Sequence, residues 1–147
     1  MNAHHNPKDN RSRTLLRRMA LRVGPGGDIE GLSDKTLQAG VDYLYRLGGG
    51  TLHIHPGQYC MQNALYLRPG VHIKGSGQDS VLIKEPSACS ELICDSDWYE
   101  CQVRVADPTG FSPGCGIALR SQHAGALQVI KDTVTSVAVS YTHLRAH

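Results

Sequence analysis

Three consecutive glycines, Gly48, Gly49 and Gly50, mark the point where the hydrophobic period of this chain changes, and that change limits the folds open to it. Before them, Leu37, Val41, Leu44 and Tyr45 recur at helical spacing and so share one face of a helix. Ser33 and Asp34 offer side-chain oxygens to the unpaired N–H groups of a first turn, and the glycines stop the helix. The spacing predicts one amphipathic helix of about ten to fourteen residues. Gly40 inside it costs up to about 1 kcal/mol relative to alanine, which fits close packing against a neighbour or simple tolerance.

After the glycines the period is two. Leu52 and Ile54 share one side of a strand, while Thr51, His53 and His55 share the other. Pro56-Gly57 turns the chain, Tyr59 and Met61 resume extended structure, and Leu65 and Leu67 alternate before a turn at Pro69-Gly70. Val71 and Ile73 repeat the pattern, Gly75-Ser76-Gly77 turns it again, and Val81, Leu82 and Ile83 form another short apolar strand. Strands of this length joined by tight turns describe the rungs of a coil. A meander of antiparallel hairpins has the same alternation, so periodicity alone does not choose.

Composition agrees with a turn-rich chain. Sixteen glycines and seven prolines among 147 residues, with only 19% charged, favour short strands over long helices. The formal charge of +2 is too small to imply a nucleic-acid partner, and much of the excess comes from arginines before residue 23. Five cysteines lack a C-x-x-C spacing, so neither a zinc site nor a closed disulfide framework follows. No run is long and apolar enough to span a bilayer, and Leu15 and Leu16 are followed at once by Arg17 and Arg18, so no secretory h-region is visible. Localisation stays open, including export of a longer parent.

The succession Gly-Gly-Gly-Thr-Leu-His-Ile-His-Pro-Gly-Gln-Tyr (residues 48–59), then Leu-Tyr-Leu-Arg-Pro-Gly-Val-His-Ile-Lys-Gly-Ser-Gly (65–77), resembles the opening of pectin-lyase-like proteins of the pectate lyase superfamily. The resemblance implies an all-β fold, a right-handed parallel β-helix whose first coils are covered by one capping α-helix and interrupted by a small β-rich insertion. The implied organisation is a disordered basic arm (1–22), capping helix and first coils (23–84), a β-rich insertion or irregular coils (85–138), and a tail (139–147). The tail, Val139-Ser140-Tyr141-Thr142-His143-Leu144-Arg145-Ala146-His147, matches one reading frame of a transposase adapter used in sequencing libraries and is set aside from the fold.

On this reading the chain is the amino-terminal, catalytically incomplete part of a carbohydrate-active β-helix protein, similar to polysaccharide lyases and glycoside hydrolases. The alternative is a non-catalytic β-helix for structure, adhesion or surface binding. The expected partner is a polysaccharide or other glycan, with no nucleic acid and no membrane. Calcium belongs to central coils of a complete parent, and no cofactor is expected on this stretch. An uncovered solenoid end leaves the piece a monomer or an aggregation-prone fragment.

Few residues announce chemistry. His53 and His55 leave one strand on the same face, with His72 expected beside them, but a third metal ligand at credible spacing is missing and no metal site is assigned. Asp28, Asp95, Asp97 and Asp107 are scattered through loops, and nothing in the spacing brings two carboxyls together as glycosidase chemistry requires. Trp98 and Tyr99 are the candidate ligand-binding pair, as aromatic faces for a sugar ring or as an anchor for the insertion. No catalytic residue is named.

Overall fold

In the computed structural model, residues 19–94, 101–121 and 129–138 are described, together with the backbone of 143–146. The chain divides into two compact units: Met1–Met61 with Leu65–Ile83, and Gln62–Ala64 with Lys84–His147.

In the first unit, strand β1 (Ala20–Val23) is followed by helix α1 (Asp34–Arg46), β2 (Gly50–Ile54), β3 (Gly57–Met61), β4 (Val71–Gly75), a 3₁₀ turn (Gly77–Asp79) and β5 (Ser80–Lys84). β1, β2 and β4 form a parallel sheet in that order, while β3 pairs with β5. The register places Leu21, Leu52 and Ile73 in one row, and Arg22, His53 and Lys74 in the next. Because successive side chains leave opposite faces of a strand, the first row faces α1 and the second faces solvent. β1 begins inside the stretch expected as a loose arm.

The helix forms where its sequence pattern places it. The Ser33 hydroxyl accepts the Thr36 N–H at 3.3 Å, closing the first turn. At the other end, the Gly49 N–H donates to the Leu44 carbonyl at 2.8 Å, and Gly49 adopts φ 114°. A Cβ there would lie 2.5 Å from the Gly70 carbonyl oxygen, so only glycine fits where the chain turns into β2. Leu37, Val41 and Leu44 are fully buried against Val23, Leu52, Ile54 and Tyr59, each such burial contributing about 1.5–3 kcal/mol. The Tyr59 hydroxyl lies between the carbonyl oxygens of Val23 (3.1 Å) and His55 (3.0 Å) and donates its proton there, which ties β3 to β1 and to the end of β2.

Residues 65–68, expected to alternate as a strand, run along α1 instead. The Gln38 side-chain amide donates to the Tyr66 carbonyl at 3.1 Å and accepts the Tyr66 N–H at 2.8 Å. One turn on, Arg68 Nε donates to Asp42 Oδ1 at 2.9 Å, and its guanidinium lies 5.7 Å from the Tyr45 ring centroid. A glutamine side chain thus occupies the backbone groups a neighbouring strand would have used.

The second unit is antiparallel. Its strands β6 (Gln102–Arg104), β7 (Gly116–Arg120), β8 (Val129–Val137) and β9 (His143–Ala146) lie in the order β6-β9-β8-β7. β7 and β8 pair from Gly116↔Thr133 to Arg120↔Val129. β9 falls in the stretch set aside as a tail. Val103 and Val105 are buried against Phe111, Leu119 and Val137. Gln62–Ala64 belongs to this unit: the Asn63 amide donates to the Thr133 hydroxyl at 2.9 Å, and the Gln62 carbonyl accepts the Gly116 N–H at 3.0 Å.

This architecture corrects the expectation of an all-β right-handed parallel β-helix. The chain is mixed, with short parallel and antiparallel sheets and no closed or solenoid sheet among the described residues. The parallel sheet of β1, β2 and β4 has three strands among the described residues. Ile73 of β4 and Val81, Leu82 and Ile83 of β5, which a solenoid would enclose, are about half exposed. α1 covers the face of β1 and β2 as a second layer rather than a terminal cap. Alternation reports which side of a strand is buried and says nothing of its partner's direction, so the sequence pattern was compatible with this outcome too.

Candidate functional site

The solvent face of β1, β2 and β4 forms an open trough of about 740 Å³, lined by Ala20, Arg22, Asp28, His53, Ile54, His55, Lys74, Gly75 and Ser76. Its floor is a ladder. Arg22, His53 and Lys74 stand side by side on three adjacent parallel strands, whose spacing is about 4.8 Å. His72 stands opposite Thr51, so the histidine row expected from sequence is an Arg–His–Lys row instead.

One wall is the turn after β1. Asp28 receives three bonds from Arg22: from the backbone N–H (2.8 Å) and Nε (3.3 Å) to Oδ2, and from Nη2 to Oδ1 (3.0 Å). Hydrogen bonding from the Arg22 side chain and backbone holds the Asp28 carboxyl below the usual carboxylate range, and the same bonds raise Arg22. The guanidinium is therefore fixed in direction and keeps N–H groups to spare. Lys74 has no ion-pair partner among the described residues.

The rim is built from His55 and the turn after β4. His55 Nδ1 lies 3.0 Å from the Pro25 carbonyl oxygen, which requires the proton on Nδ1 and leaves Nε2 for solvent or a ligand. The Ser76 and Ser80 hydroxyls donate to the Ile54 carbonyl (3.0 and 2.9 Å), pinning the chain after Gly75 against the end of β2.

Of the residues singled out from sequence, the structure brings Asp28, His53 and His55 together. Trp98 and Tyr99, the candidate ligand-binding pair, lie outside the described residues, as do Asp95 and Asp97. Asp107 sits in a turn, where its carboxylate accepts the Thr109 N–H at 2.8 Å, and hydrogen bonding from the Thr109 side chain and then its backbone holds the carboxyl below the usual range. Among the described residues no group of three or more His, Cys, Asp or Glu is placed to hold a metal ion. The five cysteines are free thiols.

Sequence reading missed Arg22 and Lys74. A signal for Arg22 was present: Leu21-Arg22-Val23-Gly24-Pro25-Gly26 and Leu52-His53-Ile54-His55-Pro56-Gly57 share the order aliphatic, basic, aliphatic, any residue, Pro, Gly. Aligning those two strings gives the register that the sheet adopts. What fold and site define is a mixed α/β unit carrying a cationic strip across a small parallel sheet. Compared with known proteins, the chain matches no protein family, no curated protein and no solved structure.

Proposed function

We propose that the trough binds an anionic polysaccharide, with the chain acting as a binding module. The observation that carries this is the Arg22–His53–Lys74 ladder, which sets hydrogen-bond donors and two permanent cations in a line across an open, flat surface. An open strip suits an extended polymer that passes through, whereas a small ligand is held by enclosure on most sides. Carboxylates or sulfates along the polymer meet Arg22 and Lys74, and hydroxyls meet His53, His55 and the Asp28 carboxylate. Asp28 is the one carboxylate in the trough and is engaged by Arg22, while glycosidase chemistry uses two carboxyls. Binding is thus the better supported role.

Titration calorimetry with an oligouronate and with its neutral oligohexose counterpart tests the reading. The oligouronate binds, its affinity falls with added salt, and Lys74→Glu weakens it roughly two- to tenfold, the range for reversing one exposed ion pair. Equal binding of the neutral oligomer, or binding untouched by Lys74→Glu, refutes it.

A further inference from the structure

β4 and β5 are the outer strands of their two sheets, and each leaves one edge unpaired among the described residues. The row Leu21–Leu52–Ile73 shows what this does to packing. Leu52, with strands on both sides, is fully buried, while Ile73 at the end of the row is 38% exposed. On β5, in the other sheet, Val81, Leu82 and Ile83 are 40%, 49% and 40% exposed. An open strand edge with unspent backbone donors and acceptors and a half-covered aliphatic row is a template for another strand.

The charges on the edge say which strand. On its solvent side β4 carries His72 and Lys74 and no carboxylate. A second copy docking antiparallel about Ile73 would set Lys74 opposite another His72, and a copy docking in parallel would set lysine against lysine; neither brings a carboxylate to the cation. A strand with acidic side chains on the solvent side and aliphatic ones beneath complements both rows. We propose that the β4 edge is a docking site for an extended acidic–aliphatic segment of another polypeptide, which adds to the sheet as a fourth parallel or antiparallel strand.

Backbone hydrogen bonds supply affinity in such an addition, and alternate side chains supply choice. The docked strand covers Ile73 and places a carboxylate beside Lys74, extending the Arg22–His53–Lys74 ladder by one anionic position. The site is distinct in its chemistry from the glycan trough because it needs the inward row, which the trough does not use.

The test is fluorescence anisotropy on the full chain with an alternating glutamate–valine octapeptide. A lysine–valine octapeptide and a glutamate–valine peptide N-methylated at alternate residues are the comparisons. The acidic peptide binds, the basic one binds about three- to fivefold more weakly from one cross-strand charge contact, and the N-methylated one does not bind. Ile73→Lys abolishes peptide binding while the circular dichroism spectrum and oligouronate binding persist. Equal binding of acidic and basic peptides overturns the proposal, as does binding of the N-methylated peptide. Concentration-dependent self-association of the protein that Ile73→Lys abolishes also overturns it, since the occupant is then a second copy.

Discussion

Gly40 offers a quantitative test of how α1 meets the sheet. A Cβ built at this position lies 2.7 Å from Leu52 Cδ1 and 2.9 Å from Val23 Cγ2, against about 3.5–4.0 Å for an ordinary carbon–carbon contact. Leu52 and Val23 are both fully buried, so neither has open space to move into. Two effects of Gly40→Ala oppose each other. Alanine is the better helix former by about 1 kcal/mol, while an extra methyl in a filled core costs about 1–3 kcal/mol. The overlap falls on two side chains at once, so the steric cost prevails, and Gly40→Ala destabilises the first unit by about 1 kcal/mol.

Leu52→Ala alone destabilises by about 2–5 kcal/mol through lost burial and the cavity left behind. In that background the closest clash is gone and the new methyl fills part of the cavity, so Gly40→Ala becomes neutral or stabilising. The cycle of both substitutions therefore shows a coupling of at least about 1 kcal/mol. Urea denaturation followed by circular dichroism at 222 nm reads it, because α1 is the one α-helix among the described residues. Stabilisation by Gly40→Ala alone, with effects additive to within about 0.5 kcal/mol, refutes the contact between α1 and β2.

Tyr59→Phe removes the hydroxyl between the Val23 and His55 carbonyls and lowers stability by about 1–2 kcal/mol in the same urea assay, with little change in the far-ultraviolet spectrum. The Asp28 carboxyl, lowered on folding chiefly by its bonds from Arg22, gives a signed pH effect. Its contribution is fully present above the unfolded-state carboxylate value and is lost as pH falls through the folded value, so Asp28→Asn flattens the acid limb of the stability curve and leaves its slope near neutrality unchanged. Midpoints of urea unfolding measured across the acid range check this, and a parallel acid limb in the variant contradicts it.

The parts of this fold legible in sequence are those whose causes are local. Ser33 caps its own helix, Leu37, Val41 and Leu44 define its buried face, and the glycines end it within one turn. The Pro-Gly turn after β2 is equally local. β1 was missed because its four residues carry little strand signal alone and become a strand through β2, about thirty positions away in sequence; only the match of residues 21–26 to 52–57 marks it. The 65–68 segment shows the converse, since its alternation is real but the Gln38 amide satisfies its backbone. The β-helix expectation failed for a related reason: β1, β2 and β4 do run parallel, but whether short strands stack into a solenoid is decided by partners that no single strand encodes. At the site, His53 and His55 were visible as a pair, whereas Arg22 and Lys74 join them only once register is known.

The path of the backbone through the two units has a consequence for synthesis on the ribosome. The tripeptide Gln62–Ala64 belongs to the second unit, yet it is flanked on both sides by chain that belongs to the first. As translation proceeds in the amino-to-carboxyl direction, Ile83 emerges and every strand and helix that buries α1 is available. Asn63, however, must wait for Thr133, 70 residues further on, before its amide finds its hydroxyl. Early folding of the first unit thus holds Gln62, Asn63 and Ala64 between fixed ends as a waiting seam, a short length of chain whose own contacts close last.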